Sequence, residues 1–76
     1  MNRRIKLGQA VRQAREARNL SRDEVSRRCK LRGASVHINT LYRLEHGIGS
    51  VRHSTVVSVC RVLGMKFILG GDRAAQ

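Results

Sequence analysis

The chain contains no proline, so its apolar periodicity is interrupted only where a glycine or an asparagine falls. Four stretches with helical spacing lie between those breaks. Leu7, Val11 and Ala14 recur at i, i+4 and i+7 with Ala10 beside them, which predicts a helix from Arg4 to Arg18 with one narrow apolar face. Arg12, Arg15 and Arg18 lie off that face. Asn19 follows, and asparagine tolerates the left-handed backbone that ends helices. Ser21 and Glu24 then form a Ser-x-x-Glu capping box: the hydroxyl accepts from one orphan amide and the carboxylate reaches back to another. Leu20 and Val25 flank it as a hydrophobic staple. The second helix buries Val25 and Cys29, lets another backbone come close at the small Ser26, and stops near Leu31 ahead of Gly33. A third helix covers His37 to His46, with Ser35 as an alternative start. Its inward pair is Leu41 and Leu44, with Ile38 on the edge and Asn39, Tyr42, Arg43 and His46 on the other side. Gly47 and Gly49 end it. A fourth helix runs from Arg52 to Leu63 on a stripe of Val56, Val59, Cys60 and Leu63. Val57 and Val62 leave it with more apolar surface than a lone helix needs.

Beyond Gly64, the run Met65-Lys66-Phe67-Ile68-Leu69 is too short for a helix and rich in strand formers. Gly70 and Gly71 close it, and residues 72–76 read as a disordered tail. The expectation is therefore one all-α domain over residues 1–71, a compact bundle of four or five helices with a short C-terminal strand. A lone apolar strand is an aggregation hazard unless something pairs with it. The same strand of a second copy is the simplest partner, which predicts a homodimer. A domain of this size buries only about 60% of its unfolded surface, so a dimer contact would also add stability.

Charge narrows the partner. Sixteen Lys and Arg against five Asp and Glu give a net charge of +11, and such a chain is drawn to a polyanion. The longest apolar run, Met65 to Leu69, is interrupted by Lys66 and is too short to span a bilayer. The N-terminus has basic residues but no apolar segment behind them, so it does not read as a secretory signal. The expected location is cytoplasmic, nucleoid-associated, with no membrane partner. Cys29 and Cys60 are isolated and His37, His46 and His53 scattered, so the cysteines read as small core residues and no metal or other cofactor is expected. Nothing has catalytic spacing: there is no Gly-rich phosphate loop, no Ser-x-x-Lys and no His-Glu-x-x-His. An enzyme is not expected.

Three segments carry a resemblance: Leu20-Ser21-Arg22-Asp23-Glu24-Val25-Ser26, Leu41-Tyr42-Arg43-Leu44-Glu45-His46-Gly47 and Val59-Cys60-Arg61-Val62-Leu63-Gly64. In this order and near this spacing, the chain resembles the lambda-repressor-like, XRE-type helix-turn-helix family over about residues 5 to 64. The resemblance implies that the second and third helices form the DNA-binding unit and that the third lies in the major groove. It places Ile38, Asn39 and Arg43 where base-contacting side chains stand, with Tyr42 between them against a base edge, a thymine methyl or a phosphate. Arg22 matches a backbone-facing position, and Arg52 and His53 a second phosphate-contacting stretch. Arg15 and Glu45 match an ion pair that braces the first helix against the third. The C-terminal strand is similar to the dimer-forming strand of antitoxin-type members, which assigns Val57, Val62, Met65, Phe67, Ile68 and Leu69 to a dimer interface.

The residue chemistry agrees with those placements, since Asn reads adenine and Arg reads guanine with two hydrogen bonds each. Alternatives stay open: Asn39 as a helix cap, Arg43 as a solvated charge, Tyr42 as ordinary packing. The turn from Lys30 to Val36 is several residues longer than the family's usual turn. It either sets Lys30, Arg32 and His37 on the DNA backbone or is a passive insertion. The function expected is a repressor acting as a homodimer on an inverted repeat in double-stranded DNA. The rivals are an antitoxin subunit that also binds a toxin protein and a non-specific nucleic-acid binder.

Overall fold

The computed structural model describes residues 3–65. Four helices follow one another: α1 Arg3–Ala17, α2 Arg22–Leu31, α3 Ile38–His46 and α4 His53–Val62. Among the described residues there is no strand. Of the expected strand only Met65 lies within them, so Phe67, Ile68, Leu69 and the tail fall outside the described residues.

The helix boundaries have local causes. Asn19 adopts φ 54° and ends α1 as a left-handed asparagine can. Ser21 caps α2, its hydroxyl accepting from the Glu24 amide at 3.1 Å. The reciprocal half of the expected capping box takes a different form, because the Glu24 carboxylate accepts from Arg27 and Arg28. Helix α3 starts one residue later than expected. His37 is its N-cap, with Nδ1 accepting from the Asn39 amide at 3.1 Å, so capping falls to His37 and leaves the Asn39 side chain exposed. Gly47, at φ 67°, ends the helix.

The apolar stripes converge on one core of Val11, Val25, Cys29, Val36, Leu41, Leu44, Val56, Val59, Cys60 and Leu63. Helix α3 packs against α1 and α2, and α2 packs against α4. The approach of α1 to α3 is very close. A Cβ on the buried Gly8 would lie 2.3 Å from the Leu44 carbonyl oxygen and 2.6 Å from that of Glu45. Only glycine fits there.

The connection between α2 and α3 is a packed segment. Val36 is a core residue, the Ala34 amide donates to the Cys29 carbonyl at 2.9 Å, and the Ser26 hydroxyl donates to the Val36 carbonyl. The small residue expected to admit a neighbouring backbone thus also hydrogen-bonds to it. Val62 and Met65 pack partly against this same core. Val57 is half-buried on α4.

Candidate nucleic-acid interface

Helix α3 buries Leu41, Leu44 and Glu45 and turns Ile38, Asn39, Tyr42 and Arg43 outward. Those four positions at i, i+1, i+4 and i+5 follow from the 3.6-residue period once the two leucines face inward. Ile38 and Tyr42 stay 38% and 45% exposed, a large apolar presence on an otherwise polar edge.

What holds this helix in place is a buried charge. The Glu45 side chain has no exposure, and Arg15 retains only 11%. Arg15 donates from Nε at 2.7 Å and from Nη2 at 3.1 Å to the two carboxylate oxygens, a bidentate fork. Its remaining Nη1 donates at 2.8 Å to the Leu20 carbonyl, so one guanidinium ties the end of α1, the α1–α2 turn and α3 together. Hydrogen bonding to Glu45 holds the Arg15 guanidinium more firmly protonated than usual, against the opposing effect of burial. A charge this enclosed keeps its partner far better than a surface pair does.

Glu45 has a second partner. Arg22 donates from Nε at 3.2 Å to the same carboxylate, and its guanidinium carbon lies 5.2 Å from the centre of the Tyr42 ring, within cation–π range. On the same helix, Tyr42 stacks on His46 at a centroid distance of 4.0 Å. His46 Nδ1–H donates to the Tyr42 carbonyl at 2.9 Å. Tyr42 is therefore in contact with both a guanidinium and an imidazole. The arginine placed at a DNA backbone by the family pattern is also a brace within the protein.

The other assigned residues divide by location. Arg43, Arg52, Ser35, Thr40 and Thr55 line one cleft of about 310 Å³ between α3, the start of α4 and the α2–α3 connection. Arg32 lies on a second, smaller cleft beside α4. Lys30, His37 and His53 are exposed. Sequence reasoning missed Val36 in the core, the partnership of Arg22 with Glu45, and the hydroxyl groups around Arg43. The Tyr42–His46 stack had a usable signal in its i, i+4 spacing. Thr40 likewise stands three residues before Arg43 on α3; the rest had none, because each joins segments distant in sequence.

A family model described as a helix-turn-helix domain matches residues 6–74. The chain belongs to the helix-turn-helix domain family. Among curated proteins none matches it. In this helix-turn-helix domain α2 and α3 follow one another and pack together, and the bracing carboxylate sits on the buried side of α3, opposite its polar edge. No helix among the described residues is long and apolar enough to cross a membrane.

Proposed function

We propose that this helix-turn-helix protein is a sequence-specific regulator of transcription, a repressor that binds an inverted repeat in double-stranded DNA as a homodimer. The observation that carries the reading is the outward edge of α3, where Asn39 and Arg43 stand beside Ile38 and Tyr42 on a helix fixed from behind by Arg15, Arg22 and Glu45. A helix about 10–12 Å across matches a major groove about 12 Å wide. Asn39 reads adenine and Arg43 guanine through paired hydrogen bonds, and Ile38 meets a thymine methyl. Phosphates fall to Arg52, His53, Lys30, Arg32 and His37, and to Arg22 to the extent that Glu45 leaves it a donor. The dimer contact is formed by Val57, Val62 and Met65 together with Phe67, Ile68 and Leu69.

Selection of bound sites from random duplex tests this directly. The expected product is an inverted repeat with half-site centres about 10–10.5 bp apart or a multiple of that. Arg43→Ala is expected to relax preference at one base pair by about 1–3 kcal/mol, or roughly 5- to 150-fold. A selected pool no different from the input would refute sequence-specific binding. A single half-site bound by a monomer in sedimentation would refute the homodimer.

A further inference from the structure

The carboxylates of the described residues are distributed unevenly. Glu16 pairs with Arg12, Glu24 with Arg27 and Arg28, and Glu45 with Arg15 and Arg22. All of these pairs lie on α1, α2 and the buried side of α3. Apart from Arg18, which donates to the Ala14 carbonyl on its own helix, the arginines with described side chains that have no carboxylate partner are Arg32, Arg43, Arg52 and Arg61, and all four are exposed.

These four guanidinium groups line two clefts. Arg43 and Arg52 border the cleft of about 310 Å³ that Ser35, Thr40 and Thr55 complete. Arg32 and Arg61 border one of about 130 Å³ with Ala34 and Ser58. The clefts adjoin along both walls. On one side Thr55 of the first cleft and Ser58 of the second are i, i+3 neighbours on α4, with Arg52 and Arg61 a further step of three beyond each, a row that crosses the helix obliquely. On the other side Ser35 and Ala34 are consecutive in the α2–α3 connection. Neighbouring residues of the two clefts thus meet on both walls, and taken together the clefts form a groove that curves across α4, with a pair of arginines at each end and small or hydroxyl side chains between.

We propose that this groove carries the sugar-phosphate backbone of the bound duplex away from the recognition helix, so that Arg32 and Arg61 contact phosphates outside the segment read by α3. The inference rests on the DNA-binding function above and extends it with Arg61, Ser58, Thr55 and Ser35. Duplex backbone is the occupant that fits, because the groove begins at Arg43, on the edge of α3 that carries the base-reading side chains. Arginine forks and hydroxyl donors suit phosphate oxygens. The lengthened α2–α3 connection has a purpose here, since it supplies the second wall. Val36 and the Ser26 hydrogen bond anchor that wall to the body of the domain.

The experiment measures duplex binding by the full chain across a range of salt concentrations. The variants are Arg32→Ala/Arg61→Ala and, as a control on paired surface arginines, Arg27→Ala/Arg28→Ala. Each phosphate contact contributes about 0.9 to the slope of log affinity against log salt. The Arg32/Arg61 variant is therefore expected to lose about 1.8 from that slope. Wild-type advantage then shrinks about 3.5-fold for each doubling of salt. Base preference and the helical circular dichroism spectrum stay as in wild type. Ethylation of phosphates outside the selected half-site interferes with binding by wild type and not by this variant. A duplex-binding wild type whose slope and interference pattern survive in the variant overturns the groove and leaves the function standing. A variant that binds duplex normally but no longer binds poly-glutamate assigns the groove to an acidic protein segment and overturns the proposal. A wild type that binds no duplex overturns the function itself.

Discussion

Truncating Glu45 tests whether the recognition helix is held by charge. Glu45→Ala removes three hydrogen bonds, two to Arg15 and one to Arg22. It leaves the Arg15 guanidinium 11% exposed with no carboxylate to face. Breaking one side of a buried pair costs about 3–5 kcal/mol. The lower end applies here, because Arg22 is 29% exposed and can turn back to water. At about 0.05–0.15 kcal/mol per residue a chain of this length has roughly 4–11 kcal/mol of stability. A loss of about 3 kcal/mol is thus a large share, and it corresponds to a fall in Tm of roughly 12–24 °C. Urea titration followed by circular dichroism measures it, with an unchanged slope showing that the unfolded state is not the cause. Glu45→Gln keeps the shape and one acceptor and should fall between wild type and Glu45→Ala. Glu16→Gln is the control, since it breaks a pair in which both side chains are 53% exposed, worth at most about 1 kcal/mol. If Glu45→Ala costs no more than Glu16→Gln, the brace is not a brace.

Three further outcomes follow from the same structure. Gly8→Ala should lower Tm even though alanine favours a helix by about 1 kcal/mol, because the new Cβ meets two backbone oxygens that cannot swing aside; a rise in Tm would refute the close approach of α1 to α3. Burial pushes the Cys29 and Cys60 thiols up from their ordinary values, so neither should react with a small disulfide reagent at neutral pH until urea unfolds the chain, and full labelling of the native state would count against the core. Hydrogen bonds from Arg27 and Arg28 hold the Glu24 carboxyl below its ordinary value. Its contribution is therefore present above the ordinary carboxylate range and lost as pH falls through the lowered value. The stability difference between wild type and Glu24→Gln should shrink on acidification, and a difference constant with pH would contradict the pairing.

Most of the helical framework was legible because its signals are local. Ser21, Asn19 and Gly47 act through hydrogen bonds and dihedrals within a few residues, and the stripes of α1, α3 and α4 follow from the helical period. The outward positions of Ile38, Asn39, Tyr42 and Arg43 followed from Leu41 and Leu44 by the same period. The cap of α3 was less legible, since histidine, serine and asparagine all sit near its start and only the backbone path selects His37.

By itself the sequence determined where the helices lie, which stripes are buried, and that the chain seeks a polyanion. All three depend on neighbours in the chain or on total charge. The resemblance anticipated Arg15 on Glu45; tertiary structure alone decided that Arg22 joins it there, that Val36 closes the core, and which arginines keep no carboxylate. Each is a meeting of residues far apart in sequence. No local pattern encodes such a meeting, because it depends on how whole helices pack, and here that packing turns on the absence of a side chain at Gly8.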